Sequence, residues 1–488
     1  MTTLPLLPIP RSAVRLPGSA VLGPGTTVIA PAGLEPVTAR LARRLGAALG
    51  TPVPVRTDTA GPAAAPGGPT HVRLVLDATA DGDDEAYTLT VDDAGVLATA
   101  SGTTGLRHAT TALLQLAEAS ATHGAAITLP GVRVEDAPRY PWRGFMLDVA
   151  RHFQDVPTVL AVLEVMADLR LNRLHLHLSD DQGWRVALES HPELAERSSG
   201  TEVGGGPGGC YSAAELRTIV ETAADLGIVV VPEIDVPGHV NAMLHAVGEL
   251  NPDGMPTDAY TGIEVGFSGL HADLPATEPF LRDVLTEVAT LTGGPWVHLG
   301  GDECPTMAHA EYAQLVRVAA DAIRSAERAP IGWQEAATTG AVDVVQVWDL
   351  RSGTDAVLTA ARDGARVLMS PAPHTYLDLK YDADFPLGLE WAGHVPLRQA
   401  YEWDPEDVLP GLDPGAIEGV EACLWTETVT CPDDLWALAL PRLAAVAEVA
   451  WSPRDSRDWA DARERLADIA RRWTADGLAW TRTPDVDW

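Results

Sequence analysis

From Arg143 onward, short apolar runs alternate with longer amphipathic stretches. Runs of three to seven residues rich in Val, Ile and Leu, without strict polar alternation, are how strands buried on both faces read. They fall at 144–148, 173–178, 228–234, 296–299, 331–333, 344–347, 366–369 and 420–424. Between them, apolar positions with helical spacing predict helices, among them 158–169, 213–226, 278–291, 311–328 and 434–449. Eight such βα units predict a (β/α)8 TIM barrel with insertions in its loops. A doubly wound open sheet is the weaker alternative, because no GxGxxG follows the first strand and no GxxxxGK occurs.

Residues 1–138 have a different texture. Pro, Gly and Ala are dense, and turns such as Pro66-Gly-Gly-Pro69 and Asp81-Gly-Asp-Asp84 recur. The run 72–76 and the alternation Tyr87, Leu89, Val91 predict strands, and 106–119 predicts a helix. This pattern predicts a small α+β domain over 1–138, with 129–138 as the passage into a barrel domain over 139–488. The segment 204–209, Gly-Gly-Gly-Pro-Gly-Gly, lacks a lysine and a following helix and reads as a mobile surface loop.

Composition narrows the function. The chain has 488 residues, 46% of them hydrophobic, which is the balance of a globular protein too long for a single core. Sixty-eight acidic against 34 basic residues give a net charge of −34. That argues against nucleic acid and anionic membranes as partners, since both need clustered cations. Lys380 is the sole lysine, so Schiff-base or phosphate-binding lysine chemistry has one candidate. Cys210, Cys304, Cys423 and Cys431 form no CxxC pair and no disulfide framework. The N-terminus MTTLPLLPIP has neither a basic stretch nor an apolar run of signal-peptide length, and no apolar run reaches the ~20 residues of a membrane span. As written, the chain reads as cytoplasmic, or as secreted if an export segment is missing. Nothing in the sequence fixes an oligomeric state or calls for a cofactor.

The strand ends, where barrel active sites lie, carry carboxylates and tryptophans. They read Leu147-Asp-Val-Ala-Arg-His-Phe, His175-Leu-His-Leu-Ser-Asp-Asp, Pro232-Glu-Ile-Asp-Val-Pro-Gly-His, His298-Leu-Gly-Gly-Asp-Glu, Gly332-Trp-Gln-Glu, Gln346-Val-Trp, His374-Thr-Tyr-Leu-Asp and Leu424-Trp-Thr-Glu. So much negative charge at one rim needs a partner, either a metal or the hydroxyls of a sugar. His175 and His177 have the i, i+2 spacing of metal ligands on one strand face. Metal-dependent amidohydrolase barrels, however, carry such a pair on the first strand with further histidines, often with a bridging lysine. The pair here therefore reads as structural, and no metal is expected.

A sugar explains more residues at once, because indole faces stack on a pyranose while carboxylates and Arg meet its hydroxyls. Trp333, Trp348 and Trp425 end three strands in the same way and are candidates to wall a small apolar pocket. Asp302-Glu303 follows Gly300-Gly301, whose lack of side chains would let a ligand approach the backbone. Two adjacent carboxyl groups sit too close together to flank an anomeric carbon in the usual glycosidase manner. A nucleophile supplied by the substrate fits better.

Leu147-Asp-Val-Ala-Arg-His-Phe, Leu176-His-Leu-Ser-Asp-Asp-Gln-Gly-Trp-Arg, Pro232-Glu-Ile-Asp-Val-Pro-Gly-His, His298-Leu-Gly-Gly-Asp-Glu and Trp425-Thr-Glu together resemble the β-N-acetylhexosaminidases of glycoside hydrolase family 20, most closely the actinobacterial enzymes. The resemblance implies a barrel preceded by an α+β domain. It also implies exo-acting, retaining removal of terminal β-linked GlcNAc, and of GalNAc, from chitooligosaccharides or glycoconjugates through an oxazolinium intermediate. On that footing Glu303 is the general acid and base with a raised pKa, Asp302 orients the acetamido N–H, and Tyr376 holds its carbonyl. Trp333, Trp348 and Trp425 enclose the acetamido methyl. Arg151 and Glu427 grip sugar hydroxyls, Asp378 reaches the C6 hydroxyl, and Asp180, Asp235 and His239 orient Arg151 and Glu303. Cys304 reads as structural. A catalytically silent sugar-binding barrel and a metallohydrolase are the alternatives.

Overall fold

A computed structural model describes residues 4–58, 71–77, 83–121 and 126–488. The turn at Pro66-Gly-Gly-Pro69 and the start of that at Asp81 lie outside the described residues.

The N-terminal part is one seven-stranded sheet: β1 (Ser12–Leu22), β2 (Thr27–Ala30), β3 (Val55–Thr57), β4 (His71–Leu76), β5 (Tyr87–Asp92), β6 (Gly95–Ala100) and β7 (Ile127–Asp136). Its order is β1-β7-β5-β6-β4-β2-β3. Helices α1 (Glu35–Leu49) and α2 (Thr103–Ser120) pack on each other and on the sheet. The α+β expectation holds, and 72–76, 87–91 and the helix fall where the pattern put them. The reading of 129–138 as a passage does not, because β7 is an internal strand paired with both β1 and β5. Pro130-Gly131 is tolerated there since β1 opposite shifts register between Arg15 and Ser19, and a Cβ at Gly131 would lie 2.5 Å from the Leu16 carbonyl oxygen. A Pro-Gly pair that reads locally as a turn is here an accommodation to a bulged partner. Helix α1 was not anticipated, although Val37, Leu41, Leu45 and Leu49 form its buried stripe at i+4 spacing.

The rest of the chain closes into a parallel eight-stranded barrel of β8 (Trp142–Asp148), β9 (Arg173–His177), β12 (Val229–Glu233), β13 (Trp296–His298), β14 (Ala329–Trp333), β15 (Val344–Val347), β16 (Arg366–Met369) and β17 (Ile417–Leu424). A small hairpin, β10 (Ser179–Asp180) with β11 (Gly183–Trp184), follows β9. All eight apolar runs read from the pattern are these strands. The run 434–449 is two helices, Pro432–Ala439 and Arg442–Trp451, since Pro441 has no N–H to continue the ladder.

Inside the barrel an apolar layer of Trp142, Val231, Ile331, Val344 and Leu368 fills the end where the strands begin. Above it the interior turns polar. Glu421 accepts hydrogen bonds from Trp142 Nε1, His175 Nδ1 and Gln346 Nε2, each at 2.9 Å. Glu233 accepts from His177 Nδ1 at 2.6 Å and from Trp333 Nε1 at 2.8 Å, with His175 Nε2 at 3.0 Å and His298 Nδ1 at 3.1 Å.

The glycine-rich segment 204–209 is tied down. Gly204 N donates to Thr261 O and Gly209 N to Ser199 O, while the buried Arg185 guanidinium donates to the carbonyls of Ala150, Ser199, Thr201 and Gly209. A Cβ at Gly209 would lie 2.1 Å from the Phe153 ring, so close packing rather than freedom selects glycine there.

Candidate active site

The C-terminal ends of the strands deliver their side chains into one cavity of about 440 Å3. Ten of the twelve residues named from the sequence line it: Arg151, His239, Asp302, Glu303, Trp333, Trp348, Tyr376, Asp378, Trp425 and Glu427. Asp180 and Asp235 stand behind that wall.

Arg151 is placed by the turn after β8, where Asp148 Oδ1 accepts from the backbone N–H of Ala150 and Arg151. Its guanidinium meets Asp180 Oδ2 at 2.7 Å and lies 4.8 Å from the Trp425 ring centroid. Asp180 also accepts from His177 Nε2 at 2.8 Å and His239 Nδ1 at 3.2 Å. Burial alone would raise the Asp180 carboxyl, yet the Arg151 and His239 charges hold it far below the usual range. His177 hydrogen-bonds carboxylates through both ring nitrogens, while His175 bonds Glu421 through Nδ1 and has its Nε2 3.0 Å from Glu233 Oε2.

His239 adopts a left-handed backbone, φ 55°. Its Nε2 lies 3.6 Å from Asp302 Oδ2 and 3.5 Å from Glu303 Oε2. Burial disfavours its charged form, but Asp180 and Asp302 outweigh that and raise its pKa well above the ordinary value. Asp235 Oδ1 accepts from Gly301 N at 3.1 Å. Burial, then the Asp302 charge, pushes the Asp235 carboxyl well up, and burial raises Asp302 as well, with the His239 charge opposing. Asp235 thus backs Asp302 and its turn, not Arg151 and Glu303 as the sequence reading had it.

The two glycines before Asp302 serve this arrangement rather than ligand access. Gly300 and Gly301 sit at φ 73° and 98°, and a Cβ on Gly300 would fall 1.8 Å from Asp235 Oδ1. Glu303 itself holds φ 48° and faces the cavity with its side chain about one-third exposed. The Cys304 thiol, 3.2 Å from the Asp302 carbonyl oxygen, is pushed well up by burial, which agrees with a structural role.

Trp333 is fully buried, with its ring 5.9 Å from that of Trp425. Trp348 lies nearly parallel to Tyr376 at 6.5 Å, and the exposed Trp391 packs edge-on against both at the rim. Tyr376 and Asp378 are held by Arg442, whose guanidinium donates to the carbonyls of Leu377 and Leu379. Both oxygens of Asp378 and Oε2 of Glu427 are buried with no hydrogen-bond partner inside the protein. Burial leads in raising both carboxyls, with the Glu427 charge adding to it at Asp378. Facing the cavity, such oxygens are open to hydrogen bonds from water or from a polar ligand.

The sequence reading missed Glu233 and Glu421, which anchor the site from inside the barrel, and Glu335. The last is joined by Trp348 Nε1 at 3.2 Å and pushed up to about 8 by burial and then by the Asp302 charge. A carboxylate ending an apolar run, as in Val-Val-Val-Pro-Glu233, was the available signal.

Comparison with known proteins gives a consistent picture. The model of the catalytic domain of glycosyl hydrolase family 20 matches residues 140–454, and that of its domain 2 matches residues 3–137. A β-N-acetylhexosaminidase of Cellulomonas fimi is 51% identical over 446 residues, 91% of this chain and 88% of the relative. The fold superposes with a TM-score of 0.94 on the Streptomyces coelicolor enzyme, a family 20 β-N-acetylhexosaminidase, at 40% identity and over 100% of this chain and 99% of that one. A mutant Streptomyces plicatus β-hexosaminidase in complex with product GlcNAc gives the same TM-score at 41% identity, covering 100% of this chain and 98% of the other.

Proposed function

This chain belongs to glycosyl hydrolase family 20 and is an enzyme of the β-N-acetylhexosaminidase type; from that premise we propose that it removes terminal, non-reducing β-linked N-acetylhexosamine by substrate-assisted catalysis with retention. One observation carries the mechanistic part. Asp302 and Glu303 are neighbours in sequence, both approach the same imidazole nitrogen, and their oxygens lie within 4.8 Å of one another on one side of an indole-walled cavity. A protein nucleophile and an acid acting on one anomeric carbon must instead face each other across it. The attacking atom is then the acetamido carbonyl oxygen of the sugar itself.

In this reading the acetamido group sits among Trp333, Trp348 and Trp425, which hold it close to C1. Glu303 gives its proton to the glycosidic oxygen as the C1–O bond breaks and the carbonyl oxygen bonds to C1. Asp302 accepts the N–H and faces the positive charge of the oxazolinium, while the Tyr376 hydroxyl donates to the carbonyl oxygen. Glu303 then takes a proton from water as that water opens the ring. Arg151, Asp378 and Glu427 hold the ring hydroxyls, and a relative of the same fold in complex with product GlcNAc supports a sugar of this class as the ligand.

Aryl glycosides of GlcNAc, GalNAc and plain glucose, assayed with the wild type and with Glu303→Gln, test the reading. Turnover of both acetamido sugars, near inertness of the glucoside, and a loss of at least ~100-fold in kcat for the variant on a poor leaving group are expected. Ready cleavage of the glucoside would refute participation by the acetamide.

A further inference from the structure

The three indoles that wall the pocket are not held alike. Trp333 is fully buried, its N–H given to Glu233 Oε1 at 2.8 Å, and Trp425 lies between the His177 ring and the Arg151 guanidinium. Trp348 is only half-buried and lines two cavities, the pocket itself and a second one of about 520 Å3, whose lining includes Glu335 while that of the first does not. The second cavity is lined by Cys304, Met307, Gln334 and Glu335 among others. A wall with open space behind it can yield to a larger ligand, whereas a wall backed by close-packed side chains cannot. What fixes Trp348 is therefore local. Its backbone N–H donates to Gln334 Oε1 at 2.9 Å, and its indole N–H donates to Glu335 Oε2 at 3.2 Å.

We propose that Glu335 is a positioning residue that sets the depth of the acetamido pocket, and with it the selectivity for the size of the sugar's N-acyl group, by pinning the Trp348 indole against the second cavity. The inference rests on the acetamide occupying the indole-walled pocket. Glu335 has no cationic partner among the described residues, and burial and the Asp302 charge push its carboxyl up to about 8. Burial thus favours its neutral form, and glutamine, which keeps a side-chain oxygen for the indole N–H, is its close mimic. Without an acceptor, the indole can swing into the second cavity and the pocket deepens.

The test uses the full chain and aryl N-acetyl-, N-propanoyl- and N-butanoyl-glucosaminides, with wild type, Glu335→Gln, Glu335→Leu and Trp348→Phe. A rigid pocket should reject each added methylene by roughly 10-fold or more in kcat/KM. Glu335→Gln should stay within about threefold of wild type on every substrate, because its side-chain carbonyl still accepts the indole N–H. Glu335→Leu should raise KM for the N-acetyl substrate and cut the N-acetyl to N-butanoyl ratio about 10-fold or more. Trp348→Phe, which keeps the carboxyl but has no N–H to give, should relax selectivity in the same direction even if the leucine variant folds poorly.

Unchanged acyl selectivity in Glu335→Leu or in Trp348→Phe overturns the proposal, as does a loss in Glu335→Gln equal to that in Glu335→Leu. A wild type indifferent to acyl length would instead fail the placement of the acetamide itself.

Discussion

Carboxyl groups of the same kind take different states within this cavity because their neighbours differ. Asp180, facing a guanidinium and an imidazolium, is held far below the usual range, while Asp235, buried beside the Asp302 carboxylate, is pushed well above it. Asp302 is raised by burial with the His239 charge opposing, and in the proposed mechanism a positive charge developing on the acetamido nitrogen would favour its anionic form. In the proposed mechanism Tyr376 is the complementary donor. Burial raises its phenol well above the ordinary value, so it remains protonated throughout the working range. Tyr376→Phe should lower kcat about 10²- to 10³-fold with little change in melting temperature, since one donor aimed at developing charge is worth that much. A loss below fivefold would remove Tyr376 from the reaction centre. Residues of this kind were legible because each lies in a recognisable string after a strand. Glu233, Glu421 and Glu335 were not singled out, although two of them stand in such strings, because a carboxylate in or after a strand looks the same in sequence whether it caps a helix, faces water or anchors an imidazole across the barrel.

At the level of elements, the turn from β13 into Asp302-Glu303 is built by exclusion. Gly300 takes a left-handed conformation and leaves the volume that the Asp235 carboxyl fills. Gly300→Ala must displace Asp235 and strain the turn. The expected result is a loss of more than ~100-fold in kcat/KM, since small displacements of positioned groups are enough for that, with a melting temperature lowered by several degrees, as ~1–3 kcal/mol of backbone strain implies. Wild-type kinetics in that variant would show the turn to be plastic. The glycine pair was visible in the sequence, but its reason was not. Glycine before a catalytic residue suggests access for a ligand, and only the position of Asp235, 65 residues earlier, shows that the space belongs to the protein. Pro130-Gly131 misled in the same way, because a strand opposite a bulge and a linker share one local signature.

At the scale of the whole molecule, the N-terminal sheet is joined to the barrel through Trp451, which packs into the core of the sheet and donates to Asp136 Oδ2 at 3.0 Å. Charge pairs surround it. Glu85 of the N-terminal part meets Arg143 of β8, and Arg40 and Arg44 meet Asp168 of the barrel. Burial would raise Glu85, yet the hydrogen bond from His108 and the Arg143 charge bring it down to about 2. Burial likewise opposes, and Arg44 and Arg40 outweigh it, at Asp168, which lies below the usual range. A carboxyl lowered in the folded state stabilises it above the unfolded pKa of ~4, and that contribution is lost as pH falls through the folded value. The melting temperature should therefore drop between about pH 4.5 and pH 2. Glu85→Gln should start lower at pH 7 and lose less across this window. Parallel curves for the two proteins would show that the pair does not link the parts in this way.

The order of the barrel strands, the α+β character of the first part and the strings that carry Arg151, Asp302-Glu303 and the tryptophans were set by the sequence alone, because buried parallel strands and turn residues leave local patterns. The tertiary structure decided which carboxyls are pushed up and which are held down, why Gly300 is glycine, and that Glu233 and Glu335 accept the indole N–H groups of Trp333 and Trp348. Each of those depends on groups from different strands and turns meeting in a largely buried site, where a few ångströms fix both charge and position.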